Sequence, residues 1–96
     1  MFTWLNKQGV QSSEGYTLQR MHRFYYHYIE GDHPMQVNVE PFTDNKGGYS
    51  EGVYLDSLKR WLPPNDNEAI SPERQQEIRQ RISAALTFMG IEHSFE

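Results

Sequence analysis

The 96-residue chain contains no cysteine, no long apolar run and few apolar residues in general, at 36%. Without thiols it forms neither a disulfide nor a thiolate zinc site, and a reducing compartment is compatible with it. No stretch approaches the roughly 20 apolar residues needed to span a bilayer. The start, MFTWLNKQG, lacks the charged lead and apolar core of a secretory signal. A cytoplasmic protein with no membrane association is the expectation. At this length one domain, residues 1–96, accommodates one core.

Positive charge is scarce in the middle of the chain. Between Phe24 and Leu58 the only base is Lys46, set against Glu30, Asp32, Glu40, Asp44, Glu51 and Asp56, a net −5 in a chain whose total is −4. Nucleic-acid backbones are held by Lys and Arg, so this acidity argues against direct nucleic-acid binding. It favours a basic partner drawn in by long-range attraction.

Recognisable catalytic patterns are absent too. His22 and His27 are five apart, which sets them on opposite faces of a strand, and His33 and His93 add no ligand spacing. No metal site and no cofactor are expected. The serines at 12, 13, 50, 57, 71, 83 and 94 lie outside any nucleophile elbow. Gly47-Gly48 lacks the Lys-Ser/Thr and helix start of a phosphate loop, and reads as a turn. These absences point to a binding protein rather than an enzyme.

Aromatic residues, by contrast, are plentiful, at 14%. Each large ring buries about 150–250 Å², so a few of them supply much of a small core. Arg23–Glu30 (RFYYHYIE) is rich in strand formers with rings on both faces, as in a central strand. Gly31–Pro34 turns the chain into a second strand where Met35, Val37 and Val39 alternate with Gln36, Asn38 and Glu40, ending near Pro41. Tyr16–Met21 reads as another strand led in by the polar QSSEG, Phe2–Leu5 as a short one, and Tyr49–Leu58 as one resumed after the turn Asp44–Gly48. Gly52 within it suggests a bulge or an edge.

The last third changes period. After a polar loop over 61–70, Ser71 is a good N-cap with Pro72 at the first helical position. Ile78, Ile82, Ala85, Leu86 and Met89 then share a face, widened by Phe88. Glu77 and Arg81 are spaced as an exposed i,i+4 pair. Gly90 stops the helix, with Ile91 placed to fold back on Leu86. The expectation is α+β: a strand-rich part (1–60), a loop (61–70), a helix (71–89) and a short tail (91–96). An antiparallel sheet of four to five strands carries one C-terminal helix across one face.

Asp56-Ser57-Leu58-Lys59-Arg60-Trp61-Leu62-Pro63-Pro64, followed by Ile70-Ser71, Arg74-Gln75, Ile78, Ile82, Ala85-Leu86, Phe88 and Gly90, forms a pattern over roughly residues 53–91. It resembles a family of small bacterial immunity proteins from polymorphic-toxin and contact-dependent inhibition systems, which have a strand-rich front and a closing helix. The resemblance implies neutralisation of a cognate toxin, often a nuclease with a basic cleft, by covering its active site. It carries no catalytic residues over. Tyrosine is enriched at interface hot spots, and a cluster of Tyr25, Tyr26, Tyr28, Tyr49 and Tyr54 is interleaved with the acids. The partner surface expected from these residues comprises Tyr25, Tyr28, Glu30, Asp32, Glu40, Asp44, Glu51 and Asp56. The alternative is a small homodimeric structural or regulatory module that self-associates through its aromatic sheet face.

Overall fold

A computed structural model describes residues 1–96. Seven strands follow one another in a single sheet in chain order: β1 (Phe2–Asn6), β2 (Gly9–Ser12), β3 (Tyr16–His22), β4 (Tyr25–Glu30), β5 (His33–Thr43), β6 (Tyr49–Val53) and β7 (Glu92–Phe95). A 3-10 helix (Leu55–Lys59) and one α-helix, α1 (Pro72–Phe88), lie between β6 and β7. The α+β class and the C-terminal helix agree with the sequence reading; the strand count and the all-antiparallel sheet do not.

Each departure has a physical cause. Gln11 and Ser12, at the start of the polar lead-in QSSEG, belong to a strand instead, because Val10 has a hydrophobic slot beside Leu18, its antiparallel partner. The tail pairs parallel to β6, Ser50 with Glu92 through Val53 with Phe95. The crossover through α1 returns the chain to the start of β6, and only a crossover of about a dozen residues or more permits parallel neighbours.

Strand β5 does not stop at Pro41. Its first part pairs with β4 and its second, Val39–Thr43, with β6, where Pro41 sits opposite Glu51. The segment Tyr49–Leu58 is split, the strand ending at Val53 and the 3-10 turn beginning at Leu55. Gly52 marks neither a bulge nor an edge, because β6 is flanked on both sides in regular register. A Cβ at Gly52 would lie 2.0 Å from the Glu96 carboxylate and 3.1 Å from the Phe42 ring. The glycine therefore permits a close approach.

The helix forms where its punctuation places it. The Ser71 hydroxyl accepts the Arg74 N–H at 3.2 Å, and Pro72 opens the first turn. At the other end the N–H groups of Gly90 and Ile91 donate to Thr87 and Leu86, with Gly90 at φ +78°. This is a Schellman closure, which a left-handed residue requires and glycine adopts without steric cost. Ile78, Ile82, Ala85 and Leu86 are buried. They join Val10, Tyr16, Leu18, Tyr26, Tyr28, Met35, Val37, Val39 and Val53 from the sheet in one core. Leu58, Trp61 and Ile70, from the segment between β6 and α1, complete it. The opposite face of the sheet, which carries Gln19, His27, Gln36, Asn38 and Glu40, is left uncovered by the helix.

Candidate functional site

Alternation along β4 and β6 decides which of the expected partner-binding side chains reach the surface. On β4, Tyr26 and Tyr28 point under the helix while Tyr25, His27 and Ile29 point away. On β6, Glu51 and Val53 point inward. Tyr28 and Glu51 are both 0% exposed. They offer a partner no area in this fold.

Glu51 is instead the centre of a buried polar network. It is ion-paired with Arg20 and accepts hydrogen bonds from the hydroxyls of Tyr26 (2.7 Å) and Tyr49. The Arg20 guanidinium also lies 4.4 Å from the Tyr26 ring centroid. Burial pulls the Arg20 pKa down, but Tyr26 and Glu51 outweigh it and hold the group above its usual value. Burial, then the hydrogen bond and charge of Glu51, push the Tyr26 hydroxyl well above the ordinary phenol range. The phenol thus stays a donor to a carboxylate at neutral pH, and every partner in the network is satisfied.

Glu30 and Tyr28 form a second network, which pins the helix to the sheet. Glu30 accepts from Arg74 at 2.5 Å, from Arg81 at 2.9 Å and from the Tyr28 hydroxyl at 2.5 Å. Burial raises the Glu30 pKa, but Tyr28 and the two arginines outweigh it and hold the carboxyl below its usual range. Arg81 is therefore not available to Glu77, which pairs with Arg74 instead. The expected Glu77–Arg81 pair does not form because Glu30 is a better-placed and less exposed partner.

The other expected residues are more open. Tyr25 is half-buried on the uncovered face, stacked on His22 with 5.3 Å between ring centroids. Asp32 is exposed in the β4–β5 turn beside His33, 2.7 Å away. Asp56 is exposed and pairs with Lys59 at 2.9 Å. Asp44 caps its own turn, accepting the N–H groups of Lys46 and Gly48. Glu40 is exposed and accepts the Tyr54 hydroxyl at 2.6 Å.

Around Glu40 the parallel strand β7 assembles a patch that the sequence window missed. Glu92 and Glu96 are exposed on the uncovered side of β7. The Glu96 carboxylate and the Phe42 ring both close over Gly52. Phe42, Asp44 and Glu92 line one shallow depression of about 130 Å³. Asp44, Glu92 and Glu96 therefore gather near Phe42, Glu40 lies between Phe42 and Tyr54, and none of these four carboxylates is held in an ion pair. The signal for the missed pair was the alternation Glu92-Ser94-Glu96 against His93-Phe95. The position of that strand beside β6 was not legible.

No grouping of three or more His, Cys, Asp or Glu side chains is placed to hold a metal ion. No helix is long and apolar enough to cross a membrane. The family model described as Immunity protein 74 matches residues 20–96. The chain belongs to that family. It is an immunity-protein family of polymorphic toxin systems, and membership implies a cognate toxin as partner. The match runs from the end of β3 through β7 and omits the β1–β2 hairpin. No curated protein and no solved structure matches the chain.

Proposed function

We propose that the protein neutralises its cognate toxin in the cytoplasm as a stoichiometric, non-enzymatic inhibitor, and that the toxin is a nuclease with a basic active site. The observation that carries this reading is the unpaired carboxylate patch of Glu40, Asp44, Glu92 and Glu96 around Phe42 and Tyr54. Four carboxylates free of ion-pair partners attract a basic surface over several ångströms, and the exposed Phe42 and Tyr54 rings supply apolar anchors of the kind found at interface hot spots. Tyr25 and Asp56, both beside Asn38, extend this surface, and Asp32, at the opposite end of β5, offers a separate acidic contact. Glu30, Glu51 and Tyr28 support it from within, by fixing the strands and helix that present it. A patch of this sign suits occlusion of a phosphate-binding cleft, because it meets the same lysines and arginines that the nucleic acid would use.

Rapid mixing with the cognate toxin domain tests the reading. The association rate is expected to fall about tenfold or more from low to high salt, as electrostatic steering requires. The double variant E40K/E92K is expected to slow association by a similar factor while leaving the fold intact. An on-rate indifferent to ionic strength would refute steering by this patch.

A further inference from the structure

The opposite chemistry gathers where the β1–β2 turn meets the β3–β4 tip. A cleft of about 590 Å³ opens there, with Trp4, Met21, Met89 and Ile91 as apolar lining and Lys7 and Arg23 as cations. No carboxylate lines it, in a chain with more acids than bases. Neither Lys7 nor Arg23 takes part in an ion pair. Trp4 and Met21 are 47% and 52% exposed.

The cleft wall is held in place beforehand. Arg20, anchored by buried Glu51, donates to the carbonyls of His22 (3.4 Å) and Arg23 (3.2 Å). The Arg20 N–H donates to the Gln8 carbonyl at 3.0 Å, tying the tip to the β1–β2 turn. A wall fixed in advance loses little freedom when a ligand enters. The cleft volume falls in the range of about 300–1,000 Å³ typical of ligand sites, far more than a lone ion fills. Its lining asks for a carboxylate beside a large apolar side chain. A second copy of the chain is the weaker occupant, since each copy carries −4 and like charges repel.

The family match begins at Arg20. One wall, with Met21, Arg23, Met89 and Ile91, therefore lies within the shared pattern, while Trp4 and Lys7 lie outside it. We propose that this cleft receives a toxin segment bearing a carboxylate next to a large apolar residue, and that Trp4 and Lys7 help to set which toxin is recognised. The proposal rests on the toxin-neutralising reading above and adds a second, oppositely charged contact to it.

The test titrates the cognate toxin domain into the full chain by calorimetry. K7E/R23E is expected to weaken binding about tenfold or more, as reversal of two interfacial charges does, and K7R/R23K to stay close to wild type. W4A provides a second variant without charge change and is also expected to weaken binding. All are surface changes whose fold is verified by thermal melts. Wild-type binding matched by K7E/R23E and W4A overturns the cleft assignment alone, and a simultaneous loss in E40K/E92K leaves the acidic-patch reading standing. Failure of the wild-type chain to bind the toxin overturns both. Sedimentation of the wild-type chain as a dimer that W4A disperses would place a second copy in the cleft and overturn the toxin assignment.

Discussion

Replacing Glu51 with alanine separates a structural carboxylate from a partner-facing one. The side chain is 0% exposed and takes hydrogen bonds from Tyr26 and Tyr49 besides its ion pair with Arg20. Its removal leaves a mostly buried guanidinium without counter-charge and the Tyr26 hydroxyl without its carboxylate acceptor. Breaking a buried ion pair from one side costs about 3–5 kcal/mol. Because 14% of the Arg20 side chain remains exposed and can regain some hydration, about 3 kcal/mol is the expected loss. That is a large share of the ~5–15 kcal/mol typical of a domain. At about 4–8 °C per kcal/mol for a chain of this size, the melting temperature should fall by roughly 12–24 °C. Urea unfolding followed by circular dichroism measures it, with an unchanged m-value showing that the folded state is otherwise intact. The apolar replacement R20M/Y26F/E51L removes both charges and the buried hydroxyl together and should recover most of the loss. A cost for E51A below about 1 kcal/mol, the scale of a surface ion pair, would refute the buried network and return Glu51 to the partner-facing acids.

Two further outcomes follow from the packing and the charges. Ile82→Ala, at the fully buried centre of the helix stripe, should cost about 2–4 kcal/mol in the same unfolding assay, through lost burial and the cavity left behind. A loss under 1 kcal/mol would mean that α1 is not seated on the sheet. The Glu30 carboxyl is held below its ordinary value near 4.5, so the native state binds its proton less readily than the unfolded chain does. Its contribution is complete above that value and is lost as the pH falls through the depressed native pKa. Acid titration of stability should therefore be flatter below pH 4.5 in E30Q than in the wild type, and identical slopes would remove Glu30 from the helix–sheet anchor.

Local signals carried the helix almost to the residue. Ser71, Pro72 and Gly90 act on backbone groups one to four positions away, so their effect depends on nothing distant. The β4–β5 hairpin was legible for the same reason, since Gly31–Pro34 joins neighbouring strands. Other readings failed where the deciding partner was far along the chain. Gly52 suggests a bulge or an edge from its neighbours alone, because Glu96 and Phe42, which crowd it, are distant in sequence. Spacing pairs Arg81 with Glu77, but Glu30 is the stronger partner across the core.

The expected site shows the same division. Alternation assigns Tyr25 and Tyr28 to opposite faces, and Glu51 to the face of Val53, but it does not say which face the helix covers. The density of acids in a window therefore does not separate Glu51 and Glu30, both engaged inside, from Glu40 and Asp44, which carry no ion pair. It also left out Glu92 and Glu96, which belong to the same patch only because β7 returns alongside β6.

By itself, the sequence determined an acidic, cysteine-free α+β chain with one capped C-terminal helix, and the pattern that places it among immunity proteins. Those properties depend on composition, on period and on contacts within a turn. The tertiary structure alone decided which carboxylates are neutralised by Arg20, Arg74 and Arg81 and which remain free. It also brought Lys7 and Arg23 to one acid-free cleft. Charge acts through space and is reset by burial, so whether a glutamate is an anchor or a docking point depends on neighbours that only the closed sheet and its crossover helix supply.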